Sequence, residues 1–448
     1  MNTRSFLVLS ISSLCAIAAF AADSDELTPL PSDKAAPGVA IPDRYIVEVQ
    51  AGVNPAVVAP GHGIAPDFVY RRAVNGFAGH VPPGRLAALA ADARVLRIVP
   101  DRTVTAIGKP SGGGGGSTQV VPEGVKRIGA APGSLAYTGA GVGVAVVDTG
   151  VDLNHADLQP LGRASFSAFG SSAQDDNGHG SHVAGTIAAR NNTTDVVGVA
   201  PGATIYAVKV LDAAGSGSDA GVTAGLEWVA ANAALVTPRI RVVNMSLGRA
   251  GTLNDNPIQR AAIQTLVNNG IAVVVAAGND ATLEVSQQVP SGYPEVIAVA
   301  STTAKAGTNQ YRLFSGVIGA DTASHFTSDG AFSPTTGIGV SISAPGEDQE
   351  NITRAGYIQG VGILSVKLGG GTTRMAGTSM ASPHTAGVAA LIWQKALSGG
   401  GSVSAEDIRT RIRTSATNPA APLNSPTTTY TFDGVREGIL SAPGALAP

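Results

Sequence analysis

An α/β fold, with a mostly parallel sheet covered by helices on both faces and a small α+β unit ahead of it, is predicted by three features of this 448-residue chain. Six runs, 142–148, 204–211, 241–248, 271–279, 296–301 and 339–346, are apolar at nearly every position, which suits strands buried on both faces. Helical segments such as "HVAGTIAAR", "AGVTAGLEWVAANAAL" and "PIQRAAIQTLVNNG" fall between them, the order expected of a covered parallel sheet. A tract "KPSGGGGGS", 109–117, separates this region from a shorter one and is expected to be flexible, exposed and open to proteolysis.

Taken in order, residues 1–21 carry one Arg, an apolar core from Phe6 to Phe20 and the small-residue pattern Ala19-Phe20-Ala21. They read as a signal peptide cut near Ala21 or Ala22, and the apolar stretch is too short for a stable membrane anchor. Secretion follows as an expectation. Cys15 is the single cysteine, so the mature protein has no disulfide and a metal is a plausible staple. Residues 22–43, rich in Pro, Ala and Asp, read as a linker. Residues 44–106 form the small unit, with strands "RYIVEV", "FAGHV" and "VLRIVPD" and helix "PGRLAALAAD". Residues 107–117 are a Gly-rich linker, and 118–448 hold the larger domain, including a tail after Ala416 rich in Pro and Thr with "REGILSAPGAL" as a last structural segment. Net charge is −3 with no basic run, so nucleic acid is not an expected partner.

Chemistry in a parallel sheet collects at the carboxyl ends of strands, where Asp148, Ser246 and Asn279 fall. His179 lies between two glycines in "DDNGHGSH", just before a helix; with neither HExxH nor a nearby cysteine, zinc on His179 and His182 is disfavoured. "GTSMASPHTAG", 377–387, places Ser379 at the start of a long apolar helix, expected from Ser379 or Met380 with Pro383 in its first turn. Such a serine either caps the helix or acts as a nucleophile stabilised by the helix dipole. "DTG" at 148–150 lacks the second copy that an aspartic protease needs, and "GAGVGV" precedes its strand, the wrong context for a dinucleotide fingerprint.

"VAVVDTGVDLNHADL", "NGHGSHVAGTIAA", "NMSLG", "VVVAAGND" and "GTSMASPHTAGVAALI" together resemble the subtilisin-like serine proteases, in that family's order over most of 118–415. The resemblance implies Ser379 as nucleophile, His179 as general base and acid, Asp148 as the orienting acid, and Asn279 as oxyanion donor. It implies that Ser246, Leu247 and Gly248 pair with an extended substrate, with Ala276, Ala277 and Gly278 on the opposite wall; no acidic residue is evident on those walls, so an apolar P1 side chain is expected. Protein or peptide substrates and a monomer are expected. An esterase using the same triad, or an inactive binding scaffold, are the competing readings. The unit 44–106 resembles the family's ferredoxin-like inhibitor-type propeptide, implying an autoprocessed zymogen inhibited by its own propeptide, with a mature start near Thr118. "EDQENITRAGYIQGVG", 347–362, reads as an inserted loop. Loop 189–203 is similar to the family's calcium loop, implying structural Ca2+ held by Asp157, Asn192, Gln119 and the carbonyls of Arg190, Thr194 and Val196. By the same resemblance the site is completed only once the chain is cut ahead of Gln119.

Overall fold

The computed structural model describes residues 37–113, 115, 118–313, 315–417 and 437–447. The expected signal peptide, most of the expected linker 22–43 and most of the Pro/Thr-rich tail lie outside the described residues. All the elements below belong to the unit Ala35–Pro448.

The first of them are β1 (Ala40–Val49), α1 (Pro55–Gly61), β2 (Pro66–Tyr70), β3 (Gly76–His80), α2 (Pro83–Ala90) and β4 (Val95–Ala106). The strands form an antiparallel sheet in the order β2-β3-β1-β4. Side-chain alternation gives this sheet two apolar faces. Val47, Val49 and Phe77 pack with Val58, Ala59 and Leu89 of the two helices in a small core of their own. Ile46, Tyr70 and Ala78 face the other way and join a larger core shared with Leu226 and Ile263. β1 begins at Ala40, inside the stretch expected to be linker, while α1 and β2 are too short to leave a readable period.

After β4 come β5 (Lys109–Gly113), α3 (Glu123–Arg127), β6 (Gly143–Asp148), β7 (Phe166–Ser167), α4 (His179–Ala188), β8 (Thr204–Lys209), β9 (Ser216–Ser218) and α5 (Asp219–Asn232). Then follow β10 (Ile240–Met245), β11 (Leu247–Ala250), α6 (Pro257–Asn268), β12 (Ala272–Ala276), β13 (Gln288–Val289) and β14 (Ile297–Thr303). The chain continues with β15 (Ile342–Ile352), β16 (Ile358–Val366), β17 (Thr372–Ala376), α7 (Thr378–Ser398), α8 (Ala405–Thr414) and α9 (Ala442–Ala445). A ten-stranded sheet runs β5-β17-β16-β15-β14-β12-β10-β6-β8-β7. It is parallel from β7 to β15 and antiparallel from β15 to β5.

The unbroken apolar runs have a direct cause. Val144 and Val146 of β6 enter the core under α4 and α7, whereas Ala145 and Val147 enter the core under α5 and α6. β12 divides its residues the same way, Ala272 and Val274 to one side, Val273 and Val275 to the other. Each fully buried valine contributes about 1.5–3 kcal/mol, so both faces demand apolar residues.

Two expectations are corrected. Residues 347–362 are not a loop but most of a β-arm, since Glu347 to Ile352 pair with Ile358 to Gly362 across a hairpin. The alternation was hidden because both faces of β15 are largely buried. The beginning of the Gly-rich tract is likewise a strand: β5 pairs with β17, its backbone satisfied across an edge that needs no side chains.

Candidate active site

β6 delivers Asp148, fully buried, to the carboxyl end of the sheet. Its Oδ1 accepts from Thr149 N at 2.7 Å and lies 2.7 Å from His179 Nδ1. A carboxylate can only accept, so Nδ1 donates and Nε2 is the nitrogen left for proton transfer. His179 is the first residue of α4, three residues earlier than that helix was expected to begin, because Gly178 takes a left-handed φ of 104° and turns the chain into it.

Ser379 stands at the second position of α7, which starts at Thr378. Pro383 therefore falls in the second turn rather than the first. Lacking an N–H, Pro383 cannot bond the Ser379 carbonyl four residues back. Ser246 Oγ donates to that carbonyl instead, at 3.0 Å. Asn244 Nδ2 donates to Ser246 Oγ at 2.9 Å, and Ser382 Oγ donates to Asn244 Oδ1 at 2.7 Å, so Ser382 serves this scaffold rather than chemistry.

Asn279 follows β12, and its amide is oriented by Thr378, a residue that sequence reasoning missed. Thr378 N and Oγ1 both donate to Asn279 Oδ1 at 2.9 Å, which turns Nδ2 toward the cleft. There Asn279 Nδ2 and Ser379 N each lie 3.3 Å from the carbonyl oxygen of Ile107, and Ser379 Oγ touches the same oxygen. A Cβ at Gly377 would sit 2.7 Å from that oxygen and 2.9 Å from Asn279 Nδ2, so only glycine leaves room there. At Gly108 a Cβ would meet His179 Nε2 at 2.8 Å and Ser379 Cβ at 3.4 Å. The peptide bond between Ile107 and Gly108 thus lies among Asp148, His179, Ser379 and Asn279. Nothing in the local sequence marks it.

Ser246, Leu247 and Gly248 line one side of the cleft, where Ala106 pairs with Leu247, Thr105 with Gly248, and Ile107 N donates to Ser246 O at 3.1 Å. A Cβ at Gly248 would lie 3.0 Å from Ile107 Cδ1, so this glycine makes room for that side chain. Ala276, the last residue of β12, and Ala277 and Gly278 after it are buried, and Gly278 lines the same groove as Ile107 and Gly248. His182 and His384 stand away from the chemistry. Burial pushes their imidazoles down to about 3 and about 4, and each bonds a carbonyl, Ile363 O and Met380 O.

The expected calcium ligands also converge. Gln119 Nε2 lies 2.7 Å from Arg190 O, 3.1 Å from Asn192 Oδ1, 3.2 Å from Val196 O and 3.4 Å from Thr194 O. An amide nitrogen has two hydrogens and cannot satisfy four acceptors. Asn192 Nδ2 donates to Asp157 Oδ1 at 2.6 Å, and burial pushes the Asp157 carboxyl up. This oxygen-rich set fits a hard cation. One expectation fails, however. Gln119 N already donates to Thr193 O at 3.0 Å and Val120 pairs with Val196 while Ile107 still lies beside Ser379, so no cut is needed to gather the loop.

The sequence profile of the subtilase family matches residues 139–433, about two thirds of the chain. The chain belongs to the subtilase family, the subtilisin-type serine proteases. It is 38% identical to alkaline elastase YaB of Bacillus sp. (strain YaB) over 301 residues, 67% of this chain but 66% of that protein. With subtilisin DY of Bacillus licheniformis it shares 36% identity over 303 residues, 67% of this chain and 93% of the relative. The crystal structure of a cold-adapted subtilisin-like serine proteinase superposes with a TM-score of 0.50 at 29% identity, covering 68% of this chain and 90% of that one. In this subtilase the four-stranded unit built from β1 to β4 precedes the matched segment. No helix among the described residues is long and apolar enough to cross a membrane.

Proposed function

We propose that this subtilase is a secreted, monomeric endopeptidase made as a zymogen, and that it first cuts its own Ile107–Gly108 bond. Residues 1–21 act as signal, 22–43 as linker, 44–106 as inhibitor-type propeptide, 107–117 carry the processing site and 118–448 are catalytic. The observation that carries the reading is the Ile107 carbonyl, 3.3 Å from both Asn279 Nδ2 and Ser379 N and against Ser379 Oγ. Those two N–H groups can tighten on an oxyanion as it forms.

Ser379 Oγ attacks the Ile107 carbonyl carbon as His179 Nε2 takes its proton, and Asp148 holds the imidazolium through Nδ1. The tetrahedral oxygen receives Asn279 Nδ2 and Ser379 N. Collapse breaks the Ile107–Gly108 bond, with His179 returning its proton to the Gly108 nitrogen, and water then releases the Ile107 acyl group by the same steps in reverse. Later protein or peptide substrates follow the path of β4, pairing with Ser246 to Gly248. A P1 residue as apolar as Ile107 is preferred in this reading, because Gly248 makes room for the Ile107 side chain and Gly278 lines the same groove.

Asp157, Asn192 and Gln119, with the carbonyls of Arg190, Thr194 and Val196, hold a structural Ca2+ in this reading. The ion would offset the buried Asp157 charge and fasten the segment at Gln119 to loop 190–196. At 100 times its Kd such an ion adds about 2.7 kcal/mol. Thermal half-life of the processed enzyme with and without excess EDTA measures it, and an unchanged half-life removes the site. The function itself is tested by labelling Ser379 with an organophosphonate, assaying casein, and sequencing the new amino terminus. Labelling without proteolysis would point to an esterase instead. A first cut away from Ile107 would overturn the assignment of that bond.

A further inference from the structure

The β15–β16 arm contains a buried acidic pair that the catalytic reading does not use. Glu347 is 1% exposed and Glu350 0%. Three residues apart, they would normally face opposite sides of a strand. A register shift between Glu347 and Gln349 adds the odd residue that turns both inward. Across from them His325 gives both its backbone N and its Nδ1 to Glu350 Oε1, each at 2.8 Å.

Glu347 Oε2 and Glu350 Oε2 are buried with no well-aligned donor, although Glu347 lies within reach of both the Glu350 carboxyl and the Ser324 side chain. Among the described residues the one ion pair to either glutamate comes from His325, since Arg374 is taken by Asp348, Lys305 faces Glu123, and Arg127 binds Asp321. One ligand-capable atom from each of His325, Glu347 and Glu350 lies within 4.8 Å of the others. The facing strand leaves space, because a Cβ at Gly360 would lie 2.0 Å from Glu347 Oε1.

We propose that His325, Glu347 and Glu350 form a divalent-cation site of the zinc class, separate from the Asp157 loop. Two buried carboxylates side by side repel each other, and a single imidazole at Glu350 does not offset both. A divalent cation supplies the positive charge that the pair lacks. A nitrogen donor with two carboxylates favours a borderline ion over Ca2+, which takes oxygen ligands. Three protein ligands leave a fourth position for water, and the His325 side chain, 36% exposed, opens the site to solvent.

The site would staple the loop carrying His325 to β15 in a protein with a single cysteine, Cys15, and hence no intrachain disulfide. Its effect reaches the nucleophile's neighbourhood. Gly346, next to Glu347, accepts from Gly377 N at 3.2 Å, two residues before Ser379.

The test uses full-length protein carrying Ser379→Ala, which prevents self-digestion. After EDTA treatment and dialysis it is titrated with Zn2+ alone, with millimolar Ca2+ present to fill any oxygen-only site. One equivalent should bind and raise the melting temperature, and X-ray absorption should report one nitrogen and two carboxylate donors from the protein. Glu350→Gln, and separately the half-exposed His325→Asn, should weaken uptake at least about 100-fold while circular dichroism stays unchanged. The inference is overturned if the parent protein takes up no stoichiometric zinc. It is equally overturned if a Glu347→Gln/Glu350→Gln protein keeps the full equivalent, which would place the ion elsewhere, for example on His179.

Discussion

On the amino side of the Ile107–Gly108 bond, β4 runs for 12 residues and pairs with β1, β9 and β11; on the carboxyl side, β5 runs for 5 and pairs, among the described residues, with β17 alone. β4 also buries side chains. Val104 is 2% exposed, and Asp101, 1% exposed, accepts from Ala220 N at the head of α5 at 2.9 Å. β5, "KPSGG", offers little beyond its backbone, with Ser111 Oγ accepting from Gly362 N at 2.8 Å. The same cleft thus holds the two sides of one peptide bond very unequally. On the proposed reading, a cut at that bond would leave the amino-terminal product anchored through its own folded unit, and the carboxyl-terminal strand held only along one edge. The proposed zymogen would then process itself and remain shut, and each experiment below tests one side of that contrast.

The largest effect comes from keeping the two sides joined. Ser379→Ala should abolish both hydrolysis of added substrate and cutting at Ile107, because one nucleophile serves both. Mass spectrometry should find only the uncut precursor. Normal maturation of the purified variant would mean that another protease makes the cut.

Next comes the contrast in affinity. The unit ending at Ile107, added in trans, should inhibit processed enzyme at least about 10³-fold more tightly than a synthetic peptide matching Gly108 to Gly113, a gap of ~4 kcal/mol. Equal inhibition constants would show that the strand pairings, and not the folded unit behind β4, supply the binding.

Asn279→Ala should lower kcat by about 10²–10³, the loss typical of one oxyanion donor in a subtilisin, with KM little changed. The same factor should slow the cut at Ile107, since its carbonyl uses the same donor. A change confined to KM would assign Asn279 to ground-state binding.

The central sheet and the groups around Ser379 were legible in the sequence for a physical reason. Strands buried on both faces leave unbroken apolar runs, and Asp148, His179, Asn279 and Ser379 each stand in a short, chemically distinctive motif. What stayed hidden depends on partners distant in the chain. Thr378 reads as an ordinary residue before a serine until Asn279, 99 positions earlier, is seen to take both its hydrogen bonds. The β-arm at 347–362 was masked by acidic residues that look solvent-exposed yet are buried at 347, 348 and 350. β5 was masked because glycines carry no pattern, although an edge strand requires only backbone. Ile107 was invisible for a different reason: a bond to be cut is defined by where the fold carries it.

The smallest effect isolates one contact of the amino-terminal unit that lies outside the cleft. Glu227 on α5 accepts at 2.6 Å from three consecutive backbone N–H groups, Arg71 and Arg72 on Oε1 and Ala73 on Oε2. On the same loop Thr265 Oγ1 donates to the Ala73 carbonyl at 2.7 Å. Hydrogen bonds to a charged acceptor contribute about 1.5–3 kcal/mol when well shielded, and partial exposure places this set at the low end. Glu227→Gln keeps the shape but loses the charge and turns an amide N–H toward a donor. The inhibition constant of the added unit should therefore weaken roughly tenfold, or ~1.4 kcal/mol. Turnover of a short peptide by the processed variant should not change, because Glu227 touches none of Asp148, His179, Asn279 or Ser379. If inhibition is unaffected while the β4 contacts remain intact, the cleft strand alone accounts for the unequal grip on the two sides of Ile107.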